Sequence, residues 1–200
     1  MSREENEKLA KELKNASQGL NALQLNKQAL ALCDHGFYTD VTKAIEYLNN
    51  AVRLDPKYSP AYNNLGLAYQ QKGDYDKAIG YYQEALKIDL EQVGPEHPEV
   101  AIRYNNLGMA YEYKGDYDKA IKYYQKALRM GLEQLGLEHP KVGLRYNNLG
   151  VVYHRKGDYD KAIEYLQKAL EILFDVNGIW IDHGLNADSI CQIMDYILIR

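Results

Sequence analysis

The sequence predicts an all-α fold, a solenoid of antiparallel helix pairs, and three observations carry that prediction. First, Tyr62-Asn63-Asn64-Leu65-Gly66 returns as Tyr104 to Gly108 and as Tyr146 to Gly150, at intervals of 104 − 62 = 42 and 146 − 104 = 42. Second, each copy is followed by the same block: Lys72-Gly73-Asp74-Tyr75-Asp76-Lys77-Ala78-Ile79, then Lys114 to Ile121, then Lys156 to Ile163. Third, a Gln-x-Ala-Leu element trails each pair at Gln83, Gln125 and Gln167. Self-similarity at a fixed period is the mark of stacked supersecondary units.

Residues 1–24 read as an N-terminal helix. Leu9, Leu13, Ala16, Leu20 and Leu23 alternate by four and three, a heptad-like stripe that Lys27 breaks. Such a stripe either covers the first repeat or pairs with a second chain. The opening residues are polar and mixed in charge, unlike a secretory signal.

Each regular unit reads as two helices. Tyr62, Leu65, Gly66 and Tyr69 fall at i, i+3, i+4 and i+7, one face of the first helix. Gly73 stops it. Asp74 or Asp76 starts the second, because a short carboxylate there accepts from orphan backbone N–H groups. Ala78, Tyr81, Tyr82, Ala85 and Leu86 continue at helical spacing, and the small residues let the two helices approach closely.

This pattern resembles the tetratricopeptide repeat, whose paired helices carry Leu-Gly, Tyr, Ala, an aromatic and Ala at set positions. The resemblance implies a right-handed superhelical solenoid with capping helices at both ends. Repeats then span 59–100, 101–142 and 143–174. A degenerate one at 25–58 has Ala44, Tyr47, Ala51 and Pro56 in place, but Ala31-Leu32 for Leu-Gly and His35 for the Tyr. The first interval is 59 − 25 = 34, so the later units hold eight more residues, in Leu90 to Glu99 and Leu132 to Lys141. These are expected to lengthen the second helix and its loop. The long form, with Glu-His-Pro, is similar to the repeats of kinesin light chains and related bacterial proteins.

After Phe174 the pattern fails. Where a fifth pentapeptide would stand, 146 + 42 = 188, the chain reads Asp188-Ser189-Ile190-Cys191-Gln192. Ile190, Ile193, Met194, Ile197 and Leu198 still form one apolar stripe. Residues 175–200 are therefore expected to cap the solenoid, or else to join two copies as a homodimer.

Composition narrows the function. The formal net charge is −4 and no Lys/Arg run appears, which argues against nucleic acid. No apolar run approaches the ~20 residues of a membrane helix, so a soluble, cytoplasmic chain is expected. Cys33 and Cys191 lie far apart without metal-ligand spacing and read as free thiols. His97 and His139 precede prolines in equivalent loops and suit helix starts better than metal. The Gly-Asp-Tyr-Asp segments lack a calcium loop's ligand series. No nucleophile elbow, zinc-protease, phosphate-loop or dinucleotide motif appears. The chain is read as no enzyme, without metal or cofactor.

Function is expected on the first helices. At ~100° per residue, Asn63, Leu67 and Gln70 form a stripe away from the core face, with Asn64 and Gln71 at its border. The equivalents are Asn105, Asn106, Met109, Glu112 and Tyr113, then Asn147, Asn148, Val151, His154 and Arg155. Solvent-facing Leu67, Met109, Val151 and Tyr113 beside side-chain amides suit an extended peptide, since Asn both donates and accepts. The resemblance implies that first helices line the concave side and that the paired Asn clamp peptide main chain. The other reading is that these Asn brace neighbouring helices. Chaperone-binding relatives place a Lys where Asn63, Asn105 and Asn147 stand, which tells against a chaperone-tail ligand. The expected partner is a protein or peptide, and the chain an interaction scaffold.

Overall fold

The structure, a computed structural model, describes residues 21–173 together with Lys14 and Ser17. The stripe ahead of Leu23 and the C-terminal segment 175–200, with Cys191, lie outside the described residues. The chain divides into two compact units, 1–95 and 96–200.

In the first unit, a helix covers 21–30 (α1), then strands Cys33–Asp34 (β1) and Phe37–Tyr38 (β2), then helices Val41–Leu54 (α2), Ser59–Gln71 (α3) and Tyr75–Gln92 (α4). The degenerate repeat departs from expectation here. Its first helix ends at residue 30, so Ala31, Leu32 and His35 are not helical. The cause is chain length. Ala29 and Ala44 are 44 − 29 = 15 apart, whereas Ala68 and Ala78, or Ala110 and Ala120, are 10 apart. The five additional residues close as a hairpin in which Cys33 pairs with Tyr38 and Asp34 with Phe37. His35 (φ 47°) and Gly36 (φ 84°) make its turn, the double positive φ that matches strand twist. Gln71 of α3 secures the hairpin edge: its Oε1 accepts from Tyr38 N and its Nε2 donates to Tyr38 O, each at 2.7 Å. Cys33 is a half-buried free thiol.

The buried face of α1 is Ala22, Asn26 and Ala29, while Leu23 of the heptad-like stripe is exposed. Ala22 and Ala29 join Tyr38, Ala44, Leu48, Ala51, Ala61, Leu65 and Ala68 in one core.

In the second unit, α5 (Pro98–Lys114) packs on α6 (Tyr117–Leu135), and α7 (Pro140–Lys156) on both α6 and α8 (Tyr159–Leu173). The additional residues of the long repeat do not only lengthen the second helix. They also start α5 and α7 at Pro98 and Pro140, three residues ahead of the repeat starts at Ala101 and Gly143. Proline suits a first helical turn, where its missing N–H is no loss. His97 Nδ1 accepts from Glu99 N and His139 Nδ1 from Lys141 N, so both histidines are N-caps.

Asp74, Asp116 and Asp158 each accept from the backbone N–H three residues on, as expected for the second helices. Their neighbours repeat as well. Lys77, Lys119 and Lys161 pair with these aspartates and lie 5.2 Å from the ring centroids of Tyr69, Tyr111 and Tyr153. Those rings stack on Tyr81, Tyr123 and Tyr165. On α5 and α7, Tyr111, Tyr146 and Tyr153 of the expected core face are buried, whereas on α3 the core is narrower than the periodicity suggests. Ala61, Leu65, Gly66 and Ala68 are buried on α3, whereas Tyr62 and Tyr69 are half-buried members of an aromatic stack.

Candidate peptide-binding face

Two first helices, α5 and α7, share the second unit, and their side chains meet. Asn148 Nδ2 donates to Asn105 Oδ1 at 2.9 Å. Arg155 Nη1 lies 3.3 Å from Glu112 Oε1, and its guanidinium lies over the Tyr113 ring at 5.9 Å. Next to the Asn pair is a cavity of ≈ 250 Å³ lined by Ile102, Asn105, Lys141, Leu144, Arg145 and Asn148.

Glu112 is not the solvent-facing group that its place in the stripe suggests. It is 9% exposed and accepts from the buried Tyr124 hydroxyl at 2.7 Å. Burial raises its carboxyl above the ordinary glutamate value, against the opposing pull of Tyr124 and Arg155. Tyr124 is pushed well up by the same burial and by the facing carboxylate. On α3 the equivalent contact is neutral, with Tyr82 OH donating to Gln70 Oε1 at 3.5 Å. On α7, His154 meets the edge of Tyr159 instead, at 5.3 Å.

The amides divide between bracing and exposure. Asn64 Nδ2 donates to Asn26 Oδ1 at 2.8 Å, where Asn26 stands in for a core leucine of the regular repeats. Asn63 Nδ2 donates to Asn64 Oδ1 at 3.4 Å. Asn147 is buried, and its Oδ1 has no hydrogen-bond partner among the described residues. Asn106, Met109 and Val151 are half-buried rather than solvent-facing, and Leu67 packs against the core of the first unit. The structure therefore brings together Asn105 with Asn148, and Glu112 with Tyr113 and Arg155.

Ile102, Lys141, Leu144 and Arg145 were not in the sequence-derived set. Ile102 and Leu144 share one repeat position (144 − 102 = 42), three residues ahead of the pentapeptide's first Asn, and both are apolar. A signal was available in that column. Among the described residues, no cluster of three or more His, Cys, Asp or Glu could hold a metal ion, and no helix is long and apolar enough to cross a membrane.

The profile described as "Tetratricopeptide repeat" matches residues 58–133 and 104–173, and a second profile of the same description matches 26–89. The chain is 43% identical over 68 residues to cellulose synthase operon protein C of Escherichia coli K12. That match covers 34% of this chain and only 6% of the relative, so the chain spans a small fraction of that protein's length. Among solved structures, BtubC (BKLC) from P. vanneervenii superposes with a TM-score of 0.69 at 25% identity, covering 93% of this chain and 81% of that one. MamA does so with a TM-score of 0.59 at 30% identity, covering 76% and 73%.

Proposed function

Because the chain belongs to the tetratricopeptide repeat family, we propose that it is a protein-interaction scaffold whose α5–α7 face holds an extended peptide segment. One observation carries the reading. A cavity of ≈ 250 Å³ opens between two first helices, walled by Ile102 and Leu144 and edged by the Asn105–Asn148 amide pair. One turn further on, Met109 and Val151 share a repeat position and remain half-buried, with apolar surface still to cover. An extended peptide suits this combination, since apolar side chains fill the cavity while amides meet the main chain. On α3, Asn63, Asn64, Leu67 and Gln70 hold the equivalent repeat positions within the first unit.

The bracing contacts serve the same end. Glu112, Arg155 and Tyr113 tie α7 to α5, which holds the face in shape before a ligand arrives and lowers the ordering cost of binding. The test is selection of peptides from a random library on the full chain, followed by rebinding to a Met109→Glu, Asn106→Ala double variant. Loss of binding in a folded variant supports the face. Selected peptides that bind the variant unchanged place the interaction elsewhere. Self-association through the 175–200 stripe rests on residues outside those described, and no observation favours it.

A further inference from the structure

Arg103 and Arg145 hold the same repeat position (145 − 103 = 42) in opposite surroundings. Arg103 Nη2 donates to Glu99 Oε2 at 3.0 Å, one turn earlier on α5. The counterpart of Glu99 on α7 is Lys141 (141 − 99 = 42), so a carboxylate has become a cation. The residue facing Arg145 from α6 is Gly131, so close that a Cβ there would run into the guanidinium Nη1. The place from which Glu99 serves Arg103 thus holds a cation beside Arg145, and the residue facing Arg145 from α6 carries no side chain.

The consequence, among the described residues, is a cation without a counter-charge. Arg145 is 9% exposed, its Nη1 is buried without a hydrogen-bond partner among those residues, and burial draws its pKa below the ordinary arginine value. Among the described residues no carboxylate pairs with Arg145 or Lys141. A buried charge stripped of its partner is unfavourable, and a guest that supplies one is bound the more firmly. Both cations line the same cavity as the apolar Ile102 and Leu144.

We propose that this cavity is an acidic-side-chain subsite, taking an aspartate or glutamate of the bound peptide beside Arg145 and Lys141. The guest carboxylate does for Arg145 what Glu99 does for Arg103, and Ile102 and Leu144 cover the methylene stem. A side chain fits better than a chain terminus, because Met109 and Val151 extend the face past the cavity and the peptide runs on. The inference rests on the α5–α7 face being the peptide site.

The probe is a pool of random decapeptides, N-acetylated and C-amidated, selected on the immobilised full chain. A second pool has free C-terminal carboxylates and no acidic side chains. Lys141→Glu supplies an internal acid one turn before Arg145, at an exposed position. Lys122→Glu makes the same charge change at an exposed site outside the cavity lining. The wild-type chain should enrich Asp or Glu at one register of the first pool. An enriched peptide should bind Lys141→Glu roughly tenfold or more weakly, bind Lys122→Glu as it binds wild type, and lose its discrimination when its acid becomes the amide. Lys141→Glu should also melt at a higher temperature than wild type, because Arg145 gains its pair. Peptides selected without acidic preference, or equally weakened by both lysine variants, overturn this subsite and leave the face standing. Enrichment only from the free-carboxylate pool assigns the cavity to a chain terminus and overturns it too. Peptides indifferent to Met109→Glu, or no selected peptide at all, overturn the face itself.

Discussion

Gly108 on α5 lies so close to the Tyr124 ring on α6 that an added Cβ would fall 2.5 Å from Tyr124 Cδ1. Gly66 has the same relation to Tyr82, at 2.5 Å, and Gly150 to Leu166, at 2.6 Å. The glycine of the recurring Leu-Gly is therefore a packing residue: the first helix presses its backbone onto the large buried side chain of the second.

Gly108→Ala should cost about 1–3 kcal/mol, the usual penalty of overfilling a tight core. Gly80 provides the opposite case. It sits inside α4 with nothing within 4 Å of a built Cβ. Its counterparts are Lys122 and Glu164. Gly80→Ala should stabilise by about 0.5–1 kcal/mol. Denaturant midpoints of the two variants decide the matter, and equal shifts in one direction would contradict the packing account.

Ala120 is fully buried at the start of α6. Ala120→Leu adds a branched side chain where no space remains and should destabilise by about 1–3 kcal/mol. An unchanged thermal melt would mean that the helix pair can separate more easily than its close packing implies.

Glu112 should give stability a specific pH signature. Its folded-state pKa lies above the unfolded value because burial disfavours the carboxylate. Its contribution is then fully present below the ordinary glutamate value and is lost as pH rises through the folded value. Glu112→Gln keeps an acceptor for Tyr124, as Gln70 does for Tyr82. The variant should gain on wild type as pH climbs from about 4 toward 7. Parallel stability curves over that range would show that Arg155 and Tyr124 compensate the burial in full.

Met109→Glu with Asn106→Ala should weaken a selected peptide about tenfold or more, because burying one such apolar side chain is worth roughly 1.5–3 kcal/mol. Helicity and melting temperature should stay close to wild type. Fluorescence anisotropy with a labelled peptide measures this directly, and retained affinity in the folded double variant would count against the face.

The parts of the molecule that the sequence alone determined are those set by neighbours along the chain. Asp74, Asp116 and Asp158 cap helices through an amide three residues away, and His97 and His139 through one two residues away. Gly115 and Gly157 take positive φ at helix ends. Such signals lie within one turn, so periodicity and turn chemistry reveal them. The tertiary structure decided what depends on partners 14 to 43 residues away. Asn148 reaches Asn105, Arg155 reaches Glu112, and Asn64 reaches Asn26, so amides and charges that read as free for a ligand are partly spent on bracing. The hairpin at 33–38 depends on Gln71, far along the chain. The state of Arg145 on α7 is set in part by Gly131 on α6, 14 residues away along the chain. A side chain's hydrogen bonds and desolvation are fixed by whatever packs over it, and helical spacing specifies the direction it points but not what it meets.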